Sequence, residues 1–125
     1  MDLQGCIEYC LTKTGSVHDY QPLWEADRVK VAGKIFAILG ELNGRPSITL
    51  KCPPALAERL RDEHQDIIPG YHLNKALWNT LFLNGKLDET LIKNMIDISY
   101  QEVRNLLPAY VRKALLAGEN PQAIK

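Results

Sequence analysis

The sequence predicts one α+β domain in which a mostly antiparallel sheet packs against helices. Stretches with helical and strand periods follow the order α-βββ-α-ββ-αα, without the βαβ alternation that is typical of a parallel sheet. The chain has 125 residues, of which 46% are apolar, and this is enough for one buried core. We therefore expect a single domain over residues 1–118 and a loose C-terminal tail over residues 119–125.

An amphipathic helix is expected at the start of the chain. Apolar side chains recur at helical spacing, at Leu3, Cys6, Ile7, Cys10 and Leu11, and the pattern ends near Gly15. The stretch from Ser16 to Pro22 is polar, and we interpret it as a connection to the first strand.

Three short runs with many β-branched residues predict an antiparallel meander over residues 27–31, 35–39 and 48–51. Asn43-Gly44, which separates the last two runs, is the strongest short hairpin signal because both turn residues must adopt a positive φ. A two-residue turn there pairs Leu39 with Ile48, Ala37 with Leu50 and Phe36 with Lys51.

The turn between the first two strands decides which side chains share a face of the sheet. We expect a three-residue loop over residues 32–34, which pairs Val31 with Ile35 and Lys30 with Phe36. A two-residue turn at Ala32-Gly33 would mix polar and apolar residues on one face of the first strand. The expected core face holds Val29, Val31, Ile35, Ala37, Leu39, Ile48 and Leu50. The opposite face then holds Arg28, Lys30, Phe36, Ile38, Ser47, Thr49 and Lys51.

Helices and a second β region follow. Pro53-Pro54 stops the third strand and begins a helix over residues 55–64. Strands are expected over residues 71–74 and 77–83, and Asp88 is a suitable N-cap for the longest helix. Pro108 ends that helix, in which Ser99 is interpreted as a small residue at a helix contact. The apolar stripe of the longest helix is Leu91, Ile92, Met95, Ile96, Ser99, Val103, Leu106 and Leu107. A last helix holds Val111, Leu115 and Leu116.

The overall charge gives no sign of a particular partner. Fifteen basic and fifteen acidic residues cancel, although a neutral chain can still carry a local basic face. The three cysteines form no CxxC pair, which favours buried, reduced thiols over a metal site. We expect a cytoplasmic protein without a secretory signal or a membrane span.

No motif of a catalytic site is present, so we expect a binding module that is not an enzyme and holds no cofactor or metal. The chain lacks a GxxxxGK[ST] phosphate loop, a GxGxxG motif after a strand, and a GxSxG elbow. Of the three histidines, only His72 stands out as a candidate site residue.

A basic and aromatic surface is the strongest candidate for binding. The expected row Lys30–Phe36–Lys51 places an aromatic ring between two cations, and the segment HLNKALWN adds His72, Asn74, Lys75 and Trp78. Such a surface could hold phosphates and stack bases. Alternatively, the long C-terminal helix covers Phe36 and Trp78, and the lysines form a solvated rim.

Four segments resemble the MmcQ/YjbR family of small bacterial proteins: VKVAGKIFA, ITLKCPP, PGYHLNKALWNT and ISYQEVRNLLP. The resemblance covers nearly the whole chain and implies a frataxin (CyaY)-like fold, also described as a double wing. It further implies a DNA-binding function. Frataxin-type proteins bind iron through an acidic ridge on the first helix, where this chain offers only Asp2 and Glu8, so we expect no iron site.

The first hypothesis is therefore a weak, salt-dependent DNA-binding module. Lys30, Lys34, Lys51 and Lys75 contact phosphates in this hypothesis, Arg45 lies at a wing tip, and Asn74 and Trp78 contact sugar or base. The alternative is a domain that binds a protein or a small anionic ligand, with the block from Tyr71 to Trp78 lining a pocket and Lys75 holding the anion. Third, Asn74 and Lys75 could serve only to tie a loop. The expected state is a monomer or weak dimer, with an unidentified protein as a further possible partner.

Overall fold

Six antiparallel strands form one sheet with helices on one of its faces, in a computed structural model that describes residues 1–70 and 73–118. The elements are α1 (Leu3–Cys10), β1 (Ser16–Gln21), β2 (Ala26–Val31), β3 (Lys34–Leu42), β4 (Arg45–Lys51), α2 (Pro54–Glu63), β5 (Ile67–Pro69), β6 (Trp78–Phe82), α3 (Glu89–Arg104) and α4 (Ala109–Leu116). The strand order across the sheet is β1-β2-β3-β4-β6-β5. The predicted α+β class is confirmed.

The helices begin where the sequence predicts them. Asp88 accepts a hydrogen bond from the Leu91 amide at 2.8 Å and caps α3, as expected. Asp2 does the same for α1 through the Gly5 amide. The end of α3 was expected at Pro108, but the helix ends at Arg104. Leu106 therefore lies beyond the last turn and is exposed, so its predicted place in the apolar stripe is wrong.

One apolar cluster fills the space between the sheet and all four helices. It includes Cys6 and Cys10 of α1, Leu60 of α2, Ile92 and Ile96 of α3, and Val111 and Leu115 of α4, together with Val29, Val31, Phe36, Leu39, Ile48, Leu50 and Leu81 of the sheet. We call this side of the sheet the helix face. The other side, with alternate strand residues that lie outside the cluster, we call the open face.

The β3–β4 hairpin has the predicted register. Asn43 and Gly44 have φ values of 55° and 74° and form a two-residue turn. Leu39 pairs with Ile48, and Ala37 pairs with Leu50, as expected.

The β2–β3 hairpin differs from the prediction. Ala32 and Gly33, with φ values of 48° and 80°, form a two-residue turn that brings Val31 opposite Lys34. A β-bulge then restores the register, because Lys30 pairs with Ile35 while the adjacent Val29 pairs with Ala37. The expected three-residue loop is therefore wrong.

The bulge exchanges the expected positions of two side chains. Phe36 is the extra residue on β3, and it is fully buried in the core cluster instead of lying between Lys30 and Lys51. Ile35 pairs with Lys30 and stays half-buried outside the cluster. Phe36 packs edge-on against Tyr100 of α3, with ring centroids 5.3 Å apart, so the alternative that the long helix covers Phe36 is correct.

The Ser99 side chain forms hydrogen bonds to both β3 and β4, just beyond their last directly paired residues, Ala37 and Leu50. Its hydroxyl donates to the Phe36 carbonyl at 2.5 Å and accepts from the Lys51 amide at 2.9 Å. The expected pair of Phe36 with Lys51 is thus bridged through a side chain of α3. Ser99 is fully buried at a helix contact, as predicted, and it also satisfies two backbone groups of the sheet.

Two strands lie outside the predicted set. Residues from Ser16 to Gln21, expected to be a connection, form the edge strand β1, which pairs only with β2. Because all six residues of β1 are exposed or half-buried, its sequence lacks an alternating apolar pattern. At the opposite edge, β5 lies before the strand expected over residues 71–74. Leu73 and Asn74 are not in a strand, and Tyr71 and His72 lie outside the described residues. The expected tail at 119–125 also lies outside the described residues.

Candidate functional site

The open face carries most of the residues that the sequence analysis proposed for binding. Its central row runs Asp19–Arg28–Ile38–Thr49–Thr80 across five paired strands. A neighbouring row contains Lys30, Ile35, Lys51 and Trp78. The structure thus brings Lys30, Lys51 and Trp78 to one end of one face, as predicted.

Arg28 and Lys30 of this face share one acidic partner on the unpredicted strand β1, and the three residues together keep one net positive charge. Asp19 accepts two hydrogen bonds from the Arg28 guanidinium, at 2.7 and 2.9 Å, and its second oxygen lies 3.1 Å from Lys30 Nζ. The Arg28 guanidinium, followed by Lys30, lowers the pKa of Asp19 to about 2. Lys30 is therefore already ion-paired, which weakens its predicted role as a phosphate contact.

Lys51 and Arg45 lie over aromatic rings. Lys51 Nζ is 5.9 Å from the centre of the Trp78 ring, and the Arg45 guanidinium is 4.1 Å from the Phe82 ring. Arg45 also donates to Asp66 at 3.1 Å and to Asn84 at 2.9 Å. Backbone and guanidinium donors, the Lys86 amide first and Arg45 second, lower the pKa of Asp66.

The Arg45 position was predicted in part. The residue follows the Asn43-Gly44 turn, at a hairpin tip as expected, but at the end of the sheet opposite to Lys51. Its contacts tie the tip of β4 to the loops around β5 and β6.

The remaining predicted residues have different surroundings. Lys34 is exposed at the start of β3, beside the Lys30 end of the sheet. Asn74 forms a local turn, because its side chain accepts from the Ala76 amide at 3.0 Å and its carbonyl accepts from the amides of Leu77 and Trp78. Asn74 thus ties its own loop, as the structural interpretation expects. Lys75 is exposed and its carbonyl accepts from Arg61, while His72 lies outside the described residues.

A pocket of about 360 Å³ occupies the other end of the open face. Its apolar walls include Trp24 from the β1–β2 turn, Ile38 and Leu42 from β3, and Leu73 from the segment before β6. We call it the open-face pocket. The sequence analysis expected a pocket at residues 71–78, and of that block only Leu73 lines this one among the described residues.

Hydroxyl groups lie in the lining of the open-face pocket. Thr49 and Thr80 face each other on β4 and β6, and their Oγ1 atoms are 2.8 Å apart. Both residues are almost fully buried, with 9% and 1% of their surface exposed. Ser47, also in the lining, donates to the Gly40 carbonyl at 3.3 Å.

The lining of the pocket is acidic where it is charged. Glu25 and Glu41 are its charged residues, and no Lys or Arg is among them. The adjacent cation, Arg28, lies 5.1 Å from the Trp24 ring and is committed to Asp19. The pocket therefore offers an apolar, hydroxyl-bearing interior under a negative rim.

Ile38, Ser47 and Thr49 of this pocket were expected on this face of the sheet, but no pocket was expected there. Trp24 is a large apolar residue inside a turn, which is an unusual place for one and could have drawn attention. Thr49 lies between Ile48 and Leu50, and Thr80 precedes Leu81, so each polar residue is next to an apolar one and marks the second face of a sheet. No pattern in the sequence indicates that strands β4 and β6 are neighbours.

The described part of the chain has neither an exposed thiol nor a cluster of metal ligands. Cys6, Cys10 and Cys52 are fully buried, as predicted, and burial raises their pKa values to about 11, 12 and 11. Within residues 1–70 and 73–118 no three His, Cys, Asp or Glu side chains are grouped to hold a metal ion. In the same ranges no helix has both the length and the apolar composition needed to span a membrane.

These features define a class: an α+β domain that covers one face of an antiparallel sheet with helices and leaves a small pocket on the other. The chain belongs to the YjbR family, whose family model matches residues 11–102. The resemblance found in its sequence motifs is thereby confirmed.

Curated relatives of the chain come from bacteria. The chain is 40% identical over 116 residues to the uncharacterized protein YjbR of Escherichia coli (strain K12), covering 93% of this chain and 98% of that protein. It is 35% identical over 88 residues to the uncharacterized protein YyaQ of Bacillus subtilis (strain 168), covering 66% and 74%. These relationships establish the family and leave the ligand open.

Solved structures support the architecture. The crystal structure of Deinococcus radiodurans protein DR2400 matches with a TM-score of 0.83 at 28% identity, covering 91% of this chain and 87% of that one. A crystal structure of a Pseudomonas syringae protein matches with a TM-score of 0.71 at 29% identity, covering 82% and 99%.

Proposed function

We propose that this domain is a non-catalytic binding module and that the open-face pocket is its ligand site. The observation that carries the proposal is the position of the pocket, on the face of the sheet that the helices leave uncovered. Its volume of about 360 Å³ lies at the lower end of the range for small-molecule sites. Its lining combines apolar walls with a few placed hydroxyl groups, the composition that such sites usually have.

The charges of the open face also favour a small ligand over a polyanion. Asp19 pairs with Arg28 and Lys30, and Asp66 pairs with Arg45. A phosphate backbone that used Arg28, Lys30 or Arg45 would have to compete with these ion pairs. The acidic rim of the pocket adds repulsion toward any anion that approaches it.

The absence of catalysis is part of the proposal. The thiols, which would be the strongest nucleophiles, are buried with raised pKa values and belong to the helix side of the sheet or its end. The pocket itself contributes hydroxyls with no histidine among its lining residues to act as their base.

A fragment screen read by amide chemical shifts tests the ligand site. Ligands of the pocket are expected to shift the amides of Gly40, Thr49 and Thr80. Ile38→Trp, which fills part of the pocket, is expected to weaken these ligands at least about tenfold by removing the space they occupy. Ile35→Trp is the matched control, because Ile35 lies on the same strand and face but does not line the pocket.

Two outcomes contradict the proposal. Either no fragment shifts the pocket amides at millimolar concentration, or the fragments that do bind are unaffected by Ile38→Trp. The spectra of both tryptophan variants also report whether each remains folded.

DNA binding is a second candidate, favoured by the lysines at the Trp78 end of the open face. Lys34 and Lys75 are exposed, and no ion pair involves them or Lys51 among the described residues. Cations at such positions can contact phosphates without reading sequence. The frataxin-like and double-wing likeness, which would support this candidate, stays a prediction.

Fluorescence anisotropy of a labelled duplex across a salt series tests DNA binding. The candidate predicts micromolar affinity with a salt slope equivalent to about three to five phosphates, lost in Lys34→Glu/Lys51→Glu. Lys86→Glu/Lys113→Glu carries the same charge change at other exposed sites and controls for net charge. Equal loss in both double variants, or no binding at low salt, counts against a DNA site on this face.

A further inference from the structure

We infer that the open-face pocket takes an uncharged ring compound that carries a carbonyl or similar hydrogen-bond acceptor, and that it rejects the corresponding carboxylate. This inference deepens the proposed function and rests on it. Three features of the pocket carry it: a buried hydroxyl pair, an apolar wall that includes a tryptophan, and a rim whose charged residues are both acidic.

The hydroxyl pair has an unused donor. Thr49 and Thr80 share one hydrogen bond between their Oγ1 atoms, so only one of their two hydroxyl protons is donated in it. Neither hydroxyl has another hydrogen-bond partner among the described residues. The second proton is free to point into the pocket, where the acceptor of a ligand can take the place of solvent as its partner.

The walls select the body of the ligand. Trp24, Ile38, Leu42 and Leu73 offer apolar contact on several sides of the pocket. The Trp24 ring, 51% exposed, has the Arg28 guanidinium 5.1 Å from its centre, and Arg28 is itself fixed by two bonds to Asp19. An indole in the pocket wall favours a flat aromatic body, which gains both contact area and ring–ring attraction.

The pocket lining offers no cation to a negatively charged ligand. Glu25 and Glu41 line the pocket, and the adjacent Arg28 has its charge satisfied by Asp19. A carboxylate entering the pocket would lose water without gaining a cation. Both glutamates are exposed, so their attraction for an amine is weak in water, and the buried hydroxyl decides in favour of a neutral acceptor.

Three probes of similar size test the inference by amide chemical-shift titration: acetophenone, ethylbenzene and benzoate. Acetophenone is expected to bind about two- to tenfold more tightly than ethylbenzene, because a net hydrogen bond contributes about this factor. Benzoate is expected to bind at least about tenfold more weakly than acetophenone.

Two double variants attribute the selectivity to the hydroxyls. Thr49→Val/Thr80→Val keeps the side-chain shape, and it is expected to abolish the preference for acetophenone while ethylbenzene binding persists. Thr49→Ser/Thr80→Ser restores both hydroxyls and is expected to restore the preference. Well-dispersed spectra of both variants establish that they fold.

The outcomes separate this inference from the proposed function. Equal affinity for acetophenone and ethylbenzene, or tightest binding of benzoate, overturns the ligand class while the pocket remains a ligand site. Failure of all three probes alongside hits from the wider fragment screen does the same. Failure of every fragment overturns both.

Discussion

The two faces of the sheet handle polar groups in different ways. On the helix face the buried polar side chains are tied to backbone: Ser99 bridges two strands, and Asn79 donates to the Ala57 carbonyl at 3.1 Å. On the open face polar side chains bond mainly to one another, as in the Asp19–Arg28 pair and the Thr49–Thr80 pair. The helix face is therefore completed by the fold itself, whereas the open face keeps unused donors, space and exposed charge with which a ligand can interact.

The largest expected effect comes from Phe36 and Ile38, two positions on β3 that face opposite ways because of the bulge. Phe36→Ala is expected to lower the free energy of unfolding by about 3–5 kcal/mol, because the side chain is fully buried and its loss leaves a cavity. Ile38→Ala is expected to cost about 1–2 kcal/mol, because this half-buried side chain already borders the pocket. Urea unfolding of both variants measures the difference, and equal costs would mean that the open face is packed as tightly as the helix face.

Ser99 provides an intermediate effect. Ser99→Ala leaves the Phe36 carbonyl and the Lys51 amide without their partner, and we expect a loss of about 1–3 kcal/mol. Thr49→Val on the open face is expected to cost less than about 1 kcal/mol, because the Thr80 hydroxyl can turn to solvent in the pocket.

Chemical denaturation measures both changes, and hydrogen exchange at the Lys51 amide localises the first. If Thr49→Val cost as much as Ser99→Ala, the two faces would not differ in how strictly their polar groups must be paired.

The smallest effect concerns the charges of the open face. The folded-state pKa of Asp19, about 2, lies below its ordinary value, so the carboxylate contributes stability at neutral pH that is lost as pH falls from about 4 through about 2. Because Asp19 is 38% exposed, we expect Asp19→Asn to cost no more than about 1 kcal/mol at pH 7.

The cost of Asp19→Asn should shrink toward zero as pH falls to about 2. Denaturation midpoints at several pH values between 7 and 2 measure it, with Asp62→Asn, at an exposed helix position, as the control. A cost that does not change with pH would show that the ion pair is not its source.

The parts of the fold that sequence reasoning predicted are those with a strong local signal. Asn43-Gly44 specifies its turn, so the β3–β4 register follows from it. Ala32-Gly33 forms the same kind of turn, but alanine seldom adopts a positive φ, so nothing local favoured the two-residue turn. The bulge at Phe36 then compensates through packing against α3, a long-range effect that strand periodicity cannot reveal.

The candidate site was predicted only in part for a related reason. Alternation along β2 and β4 correctly placed Lys30 and Lys51 on one face. Their charge balance depends on Asp19 in the edge strand, which has no apolar period to mark it. The open-face pocket depends on the neighbourhood of β4 and β6, which are separated in sequence by α2 and β5.

The three buried thiols can report local opening of the fold. Since only the thiolate reacts with alkylating reagents and burial holds these groups protonated, modification of the native protein must wait for a transient exposure. The alkylation rates of Cys6 and Cys10 report the release of α1 from the sheet. The Cys52 amide donates to the Leu77 carbonyl at 2.9 Å. The alkylation rate of Cys52 therefore reports the separation of the end of β4 from the segment that leads into β6. Alkylation rates resolved by residue therefore measure how independently the two regions open, and no cysteine has to be introduced by mutation.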